Sequence, residues 1–412
     1  MNEMKNAPLV PITDVLSFIV DNRGKTVPTA ESGFPLIATN CVHNERLYPV
    51  FENIRYVSEY TLHNWFRAEL KANDILFVNK GTPGRCCLVP DPVSFCAAQD
   101  MIGLRCDEQK VYYRYLLMVL RSTTTQKFIS NYHVGIAIPH FKKEDLSKLL
   151  IPLPSMEYQK RIGDLYFDIC EKEEHNNSIC ADLEAMAKLL YDYWFVQFDF
   201  PDENGKPYKS SGGKMVWNEE LKREIPEGWE AKRIRDIAIE GKDKPYNGDS
   251  IETIDLSVMP SGNMMLSSIN SSENFSTNLF EMKQGDILFG SIRPYLKKAG
   301  IAPCNGAVAG TLHSFRPKRP SDYNFLAITL CNERVFDYAT NASQGTKMPV
   351  VTLDTLMNYP IAYNSEISAK YNRINIKDIF AHCVMENLSL STLRELLLPM
   401  LMNGQVKVGG KE

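Results

Sequence analysis

The sequence predicts an α+β fold: two β-rich units and two long antiparallel helices that pair as a coiled coil, related by an internal pseudo-twofold repeat. Three observations lead there. Short motifs recur in the same order about 210 positions apart. Each stretch rich in short apolar runs, Gly and Pro gives way to a Pro-poor stretch of helical period. The chain has 412 residues, enough for two or three domains at roughly 150 residues each.

The repeat is read from four matches. Lys71-Ala-Asn-Asp74-Ile75-Leu76-Phe77 returns as Lys283-Gln-Gly-Asp286-Ile287-Leu288-Phe289, 212 positions later. Gly135-Ile-Ala-Ile-Pro139 returns as Gly345-Thr-Lys-Met-Pro349 at an offset of 210, followed at the same offset by Leu146 and Leu356. Asn177 and Leu183 return as Asn387 and Leu393, and Ile12-x-Asp14-Val15 resembles Ile234-x-Asp236-Ile237. Four matches in one order, three of them at nearly one offset, point to two copies of one module.

In chain order, residues 1–152 read as the first β-rich unit, with short strands such as 75–78 and an occasional helix such as 112–121. Residues 153–200 read as the first long helix. Ile162, Leu165, Ile169, Lys172, Asn176, Ile179, Leu183, Met186, Leu190 and Tyr193 alternate in steps of three and four, a seam with polar places in its middle. At 1.5 Å per residue that helix runs ~60 Å, too long to serve one small domain. Residues 201–228, rich in Gly, Pro, Ser and Asn, read as an exposed connector. Residues 229–361 are the second β-rich unit, and 362–404 the second helix. Its seam is Ile376, Ile379, Cys383, Glu386, Leu390, Leu393, Leu397 and Met400. Asn176 and Asn177 either fix helix register or sit solvated at a bend. Trp194, Phe195 and Trp229 read as core at a helix–domain joint.

Composition narrows the function classes. Apolar residues are 44% and charged residues 23%, the balance of a globular protein. No run approaches the ~18 consecutive apolar residues of a membrane helix. Ten cysteines without a CxxC pair suggest reduced thiols and a cytoplasmic location. A net charge of −4 means that any nucleic-acid contact must come from local patches. The chain has no GxxxxGK[ST], no GxGxxG after a strand, no [DN]PP[YF] and no HExxH. No metal ligand set is expected. One catalytic pattern matches on paper: Pro201-Asp202 followed by Glu220-Leu221-Lys222, the order of a Mg²⁺-dependent nuclease class. That chemistry needs both carboxylates on adjacent strands, and here they sit in a polar connector, which a solvated linker explains better. A non-DNA coiled-coil scaffold is the other alternative.

Several segments carry a family resemblance. Ile151-Pro-Leu-Pro154, Glu157-x-Gln159-Lys160-Arg161-Ile162, Leu183-Glu-Ala-Met186-Ala187 and Trp194-Phe-Val196 resemble the central region of type I restriction-modification specificity subunits. So do Gly212-Gly213, Ile225-Pro-Glu-Gly-Trp229, Leu393-Arg394-Glu-Leu-Leu-Leu-Pro399 and Asn403-Gly404. Asp286-Ile-Leu-Phe289, Arg293-Pro-Tyr295 and Gly345-Thr346-Lys347 look like recurrent elements of that family's target recognition domains. The resemblance implies a non-catalytic DNA adaptor in which each β-rich unit is a target recognition domain for one half of a split double-stranded site with a fixed gap. The helices would separate the units and dock methyltransferase subunits, with an ATP-dependent translocase-nuclease subunit completing the complex. S-adenosylmethionine, ATP and Mg would then sit on those partners, with no cofactor on this chain and no membrane contact.

The turn after the repeated Asp-Ile-Leu-Phe strand is the place to expect DNA contacts. It offers Lys80, Thr82 and Arg85 in the first copy and Arg293, Tyr295, Lys297 and Lys298 in the second, joined by Thr346 and Lys347. Glycine permits close backbone approach, Lys meets phosphate as a point charge, and Arg can be bidentate to guanine. Where the second copy has Thr346-Lys347 the first has Ile136-Ala137, which leaves that contact to one copy.

The helix length should set the gap between half-sites. Inserting four residues between Asn177 and Leu183 adds about 6 Å and turns the helix by roughly 400°, so the distal face is nearly kept. At ~3.4 Å per base pair the preferred gap should lengthen by one or two base pairs while both half-site sequences stay the same. Methylome sequencing of cells carrying the insertion reads both quantities. Full modification at an unchanged gap means that the helix is not the ruler.

Overall fold

The computed structural model describes residues 3–406 except 23, 25, 98, 133–138, 243, 247, 249–250, 267 and 276–277. Gly135–Ile138 of the expected repeat, with Ile136 and Ala137, lie outside the described residues. The chain forms two units: residues up to Glu174 together with those from Leu390, and His175–Ser389.

In the first unit the run Ile75–Val78 has no polar residue and is buried at every position. A strand buried on both faces needs partners on both edges, and it has them. The antiparallel sheet runs Leu16–Val20, Met101–Cys106, Ile75–Val78, Cys86–Leu88 in spatial order. A smaller sheet joins Arg55–Val57, Phe34–Ile37 and Cys96–Ala97, the last pair parallel. The helix Tyr113–Arg121 buries Tyr115 through Leu120 in a core shared with Ile162, Tyr166, Phe167, Cys170 and Leu401 of the long helices. Gly163 allows that approach: a Cβ there would stand 2.7 Å from the Tyr115 backbone nitrogen.

The second unit repeats the plan. Ala238–Glu240, Leu312–Pro317, Ile287–Gly290 and Ala299–Ile301 form an antiparallel sheet in the same first, fourth, second, third order. Its smaller sheet again holds one parallel pair, Glu252–Ile254 with Gly306–Ala309. The polar stretch 201–228 carries a hairpin, Met215–Asn218 with Arg223–Pro226. Beside it Phe200 stacks on Tyr208 and Trp229, with ring centroids at 4.8 and 5.2 Å. Phe195 and Trp229 are buried and Trp194 half-buried, which is the core role expected of them.

The helix Met156–Tyr191 is continuous for 36 residues. The distal segment is two helices, Ser365–Tyr371 and Ile376–Met402. The break is held by Asn324, whose Nδ2 donates to the Tyr371 and Ile374 carbonyls and whose backbone N–H donates to Asn372 Oδ1. Within each unit the helix segments pair antiparallel. In the second, Asn176 meets Glu386 and Asn387, and farther on the Tyr371 hydroxyl donates to the Ala187 carbonyl.

The seam needs a correction. Ile162, Ile169, Asn176, Ile376 and Cys383 are buried, and Leu165, Leu183, Leu190, Ile379, Leu390 and Leu397 are half-buried. Ile179, Met186 and Leu393 are not seam residues; they are 48%, 50% and 42% exposed. From Glu173 the buried stripe runs through Asn176, Cys180, Glu184, Ala187 and Tyr191. Its polar members are satisfied: Glu173 pairs with Arg394, and Glu184 accepts from Lys188 Nζ at 2.6 Å and from the Met264 N–H at 2.8 Å. A search for apolar residues alone takes the flanking Ile179 and Met186 instead.

Asn176 is 2% exposed, so of the two readings left open the buried register contact is the one observed. Its Nδ2 donates to Glu386 Oε2 and Asn387 Oδ1, both at 2.8 Å, and Asn387 Nδ2 donates to Asn177 Oδ1 at 3.0 Å. Asn176→Ala removes a buried amide that donates to two half-buried acceptors and should cost about 0.5–1.5 kcal/mol in chemical denaturation. A change below a few tenths would mean that water replaces the amide at no cost.

Burial pushes the Glu173 carboxyl up to about 7 from an ordinary 4.5, and Arg394 offsets only part of that. A raised folded-state value means that the stability tied to the bound proton is complete below pH 4.5 and lost as pH climbs through 7. The urea midpoint of the wild type, relative to Glu173→Gln, should therefore fall between about pH 4.5 and 7 and level off above. A pH-independent difference refutes this.

Candidate nucleic-acid interface

Each unit builds its exposed loop on a repeated buried carboxylate. Asp74 Oδ2 accepts the Lys71 N–H at 2.8 Å, closing the turn before the central strand, and both oxygens meet Arg105 at 2.8–2.9 Å. Asp286 likewise accepts the Lys283 N–H at 2.9 Å and takes Arg316 Nη2 at 2.8 Å. The sequence shows the repeated Asp. It does not show its Arg, which lies about 30 residues downstream on a neighbouring strand.

Where that strand ends, the chain comes to the surface and is latched to a second, distant loop. In the first unit the Gly81 N–H donates to the Pro139 carbonyl at 2.9 Å and the Phe141 N–H to the Asn79 carbonyl at 2.8 Å. In the second the Arg293 N–H donates to the Pro349 carbonyl at 2.8 Å and the Val351 N–H to the Ser291 carbonyl at 2.9 Å. The same residues of each module are thus joined. In the second unit this brings Thr346 and Lys347, both exposed, to the loop of Arg293 and Tyr295.

The predicted residues fare differently. Lys80 is about half exposed, with Nζ 3.7 Å from Asp100. The Thr82 hydroxyl is buried without a hydrogen-bond partner among the described residues, and Arg85 is half-buried. Arg293 and Tyr295 are exposed. Lys297 Nζ lies 2.6 Å from Glu333 Oε1, a contact that raises the ammonium above its ordinary value and lowers the carboxyl. Lys298 Nζ donates to the Leu256 carbonyl at 2.6 Å. Beneath the second loop a ring nitrogen of His313 lies 2.9 Å from the Val351 carbonyl oxygen, and burial lowers that imidazole from its ordinary range.

Sequence reasoning missed the far wall of the first loop. Thr26, Gln99, Asp100 and His140 line, with Asn79 and Lys80, an open cavity of about 310 Å³. They come from separate loops, and the one local signal is the left-handed backbone of Gln99, φ 57°.

The nuclease constellation is not assembled. Asp202 Oδ1 accepts the Asn204 and Lys206 N–H groups of its own turn, Glu220 lies 3.4 Å from Arg233, and Lys222 pairs with Glu219 at 3.1 Å. Among the described residues no group of three or more His, Cys, Asp or Glu could hold a metal ion.

Residues 9–185 match the type I restriction modification DNA specificity domain. The chain is 25% identical over 316 residues to the type I restriction enzyme MjaIX specificity subunit of Methanocaldococcus jannaschii, covering 72% of this chain and 70% of that one. It is 22% identical over 357 residues to the HindI specificity subunit of Haemophilus influenzae, covering 71% of this chain and 77% of that one. In fold it is similar to the S subunit of a type I restriction-modification system from M. genitalium, with a TM-score of 0.50 at 14% identity over 98% of this chain and 97% of that one. Residues 9–185 thus carry the match to the specificity domain, and along most of its length the chain is similar to type I restriction enzyme specificity subunits and shares a two-unit fold with one.

Proposed function

We propose that this chain is the DNA sequence-specificity subunit of a type I restriction-modification complex. One half of a bipartite double-stranded target with a fixed gap is read by each β-rich unit. The helices dock the methyltransferase and restriction subunits, which carry S-adenosylmethionine, ATP and Mg and perform the chemistry; this chain is not itself an enzyme. The observation that carries the reading is the latched loop after the central strand, built identically in both units and presenting Lys80 in one and Arg293, Tyr295, Thr346 and Lys347 in the other. Glycines at its corners let backbone come close to a ligand, and exposed cations suit phosphate and base edges. A cytoplasmic location agrees with ten cysteines, none of them in a disulfide. Among the described residues no helix is long and apolar enough to cross a membrane.

If each unit reads its own half, replacing residues 229–361 with the same segment of a relative should change one half of the methylated site and leave the other and the gap alone. Methylation mapping of cells carrying the hybrid with its partner subunits checks this. Changes in both halves, or in neither, overturn the bipartite reading.

A further inference from the structure

The two latched loops differ at their corner, and the difference has an energetic sign. At the residue whose N–H donates to the latch proline, the first unit has Gly81, φ 88°, and the second has Arg293, φ 51° and ψ 61°. Both are left-handed. Glycine adopts that conformation without a Cβ penalty, whereas an arginine does so at a cost in folding free energy. Arg293 is held there from both sides. Its N–H donates to the Pro349 carbonyl at 2.8 Å, its carbonyl accepts the Leu296 N–H at 2.9 Å, and buried Pro294 restricts the next dihedral.

The backbone contacts hold the corner, but among the described residues no side-chain contact of Arg293 offsets that cost. The side chain is exposed, and its guanidinium has no hydrogen-bond or ion-pair partner among the described residues. Lys297 and Lys298, in the same loop, are engaged by Glu333 and the Leu256 carbonyl. A strained, outward, unpaired arginine beside two occupied lysines is the arrangement of a group kept for an external partner. Arginine differs from lysine in presenting a planar fork, which matches the O6 and N7 acceptors of guanine in the major groove; a phosphate contact would be served equally by lysine.

We infer that Arg293 is the specificity-determining residue of the second unit, held in its left-handed corner to read a guanine edge of duplex DNA, and that Gly81 leaves the equivalent corner of the first unit without such a reader. This rests on the DNA-reading role proposed above.

The test uses the full chain assembled with its methyltransferase subunit for selection from a randomised duplex DNA library, with melting of the chain itself followed in parallel. Wild type should select a motif. Arg293→Gly should melt about 2–4 °C higher, since relief of about 1 kcal/mol moves a unit of this size by that amount. It should also lose about ten- to hundred-fold in discrimination at one guanine, with the other half of the motif unchanged. Arg293→Lys should keep most of the overall affinity and lose the same discrimination. A Gly variant that keeps the wild-type preference overturns the proposal. So does equal weakening toward all duplexes, which would put Arg293 on phosphate, or a melting temperature that does not rise, which would leave the corner unstrained. A wild type that selects no motif fails earlier, at the DNA-reading role itself.

Discussion

A carboxylate buried at the entrance to a central strand is the constraint on which the rest of each unit depends. Asp74 and Asp286 are almost completely enclosed, and an enclosed charge is tolerated only with a hydrogen-bonded counter-charge. Arg105 and Arg316 supply it from the adjacent strand, and the N–H groups of Lys71 and Lys283 complete the shell. The pair ties the turn before the strand to its sheet neighbour and so fixes register at the strand's beginning. Four apolar residues later the strand ends, and where it ends is therefore fixed too. The loop that carries Lys80 or Arg293 inherits its position from a carboxylate at the opposite end of the strand.

The same logic operates between the helices, with a different outcome. The buried stripe of the second unit contains Asn176, Glu184 and Cys180 where a seam optimised for stability would hold leucine. Polar groups facing one another across a helix pair contribute little net energy, but a shift of one helical turn would leave several buried groups without partners at once. Asn176, Asn177, Glu386 and Asn387 close such a layer. Register is thereby specified more strongly than stability.

Much of this was legible in the sequence, and the failures have physical causes. The repeat, the corresponding strands Ile75–Val78 and Ile287–Gly290 and the position of the loops follow from local pattern alone. The seam was misplaced because Ile179 and Met186 are apolar and exposed while Glu173 and Glu184 are charged and buried. The contacts that explain this inversion include Arg394 and the Met264 N–H, each from a segment distant in sequence. Thr82 was read as a surface donor from its loop, yet its hydroxyl is enclosed. Arg105, Gln99 and His140 went unseen because each becomes relevant only once separate segments meet. Period and turn chemistry are local properties; charge pairing across a sheet is not.

The electrostatics of the second loop bear on how a chain of net charge −4 could hold a polyanion. Its four cationic candidates are not equivalent. Glu333 neutralises Lys297, and the Leu256 carbonyl draws Lys298 down against the protein, which leaves Arg293 and Lys347 to face outward. Each phosphate neutralised releases about 0.9 of a counterion, so two free cations give a shallow dependence of affinity on salt. A surface with so little bulk attraction binds weakly to arbitrary sequence. Its discrimination then has to come from a few directional contacts, and a guanidinium fixed at a strained corner is better suited to that than a mobile ammonium. If the chain reads DNA within a larger complex, as proposed above, weak nonspecific affinity here would place the burden of embracing the duplex on the other subunits.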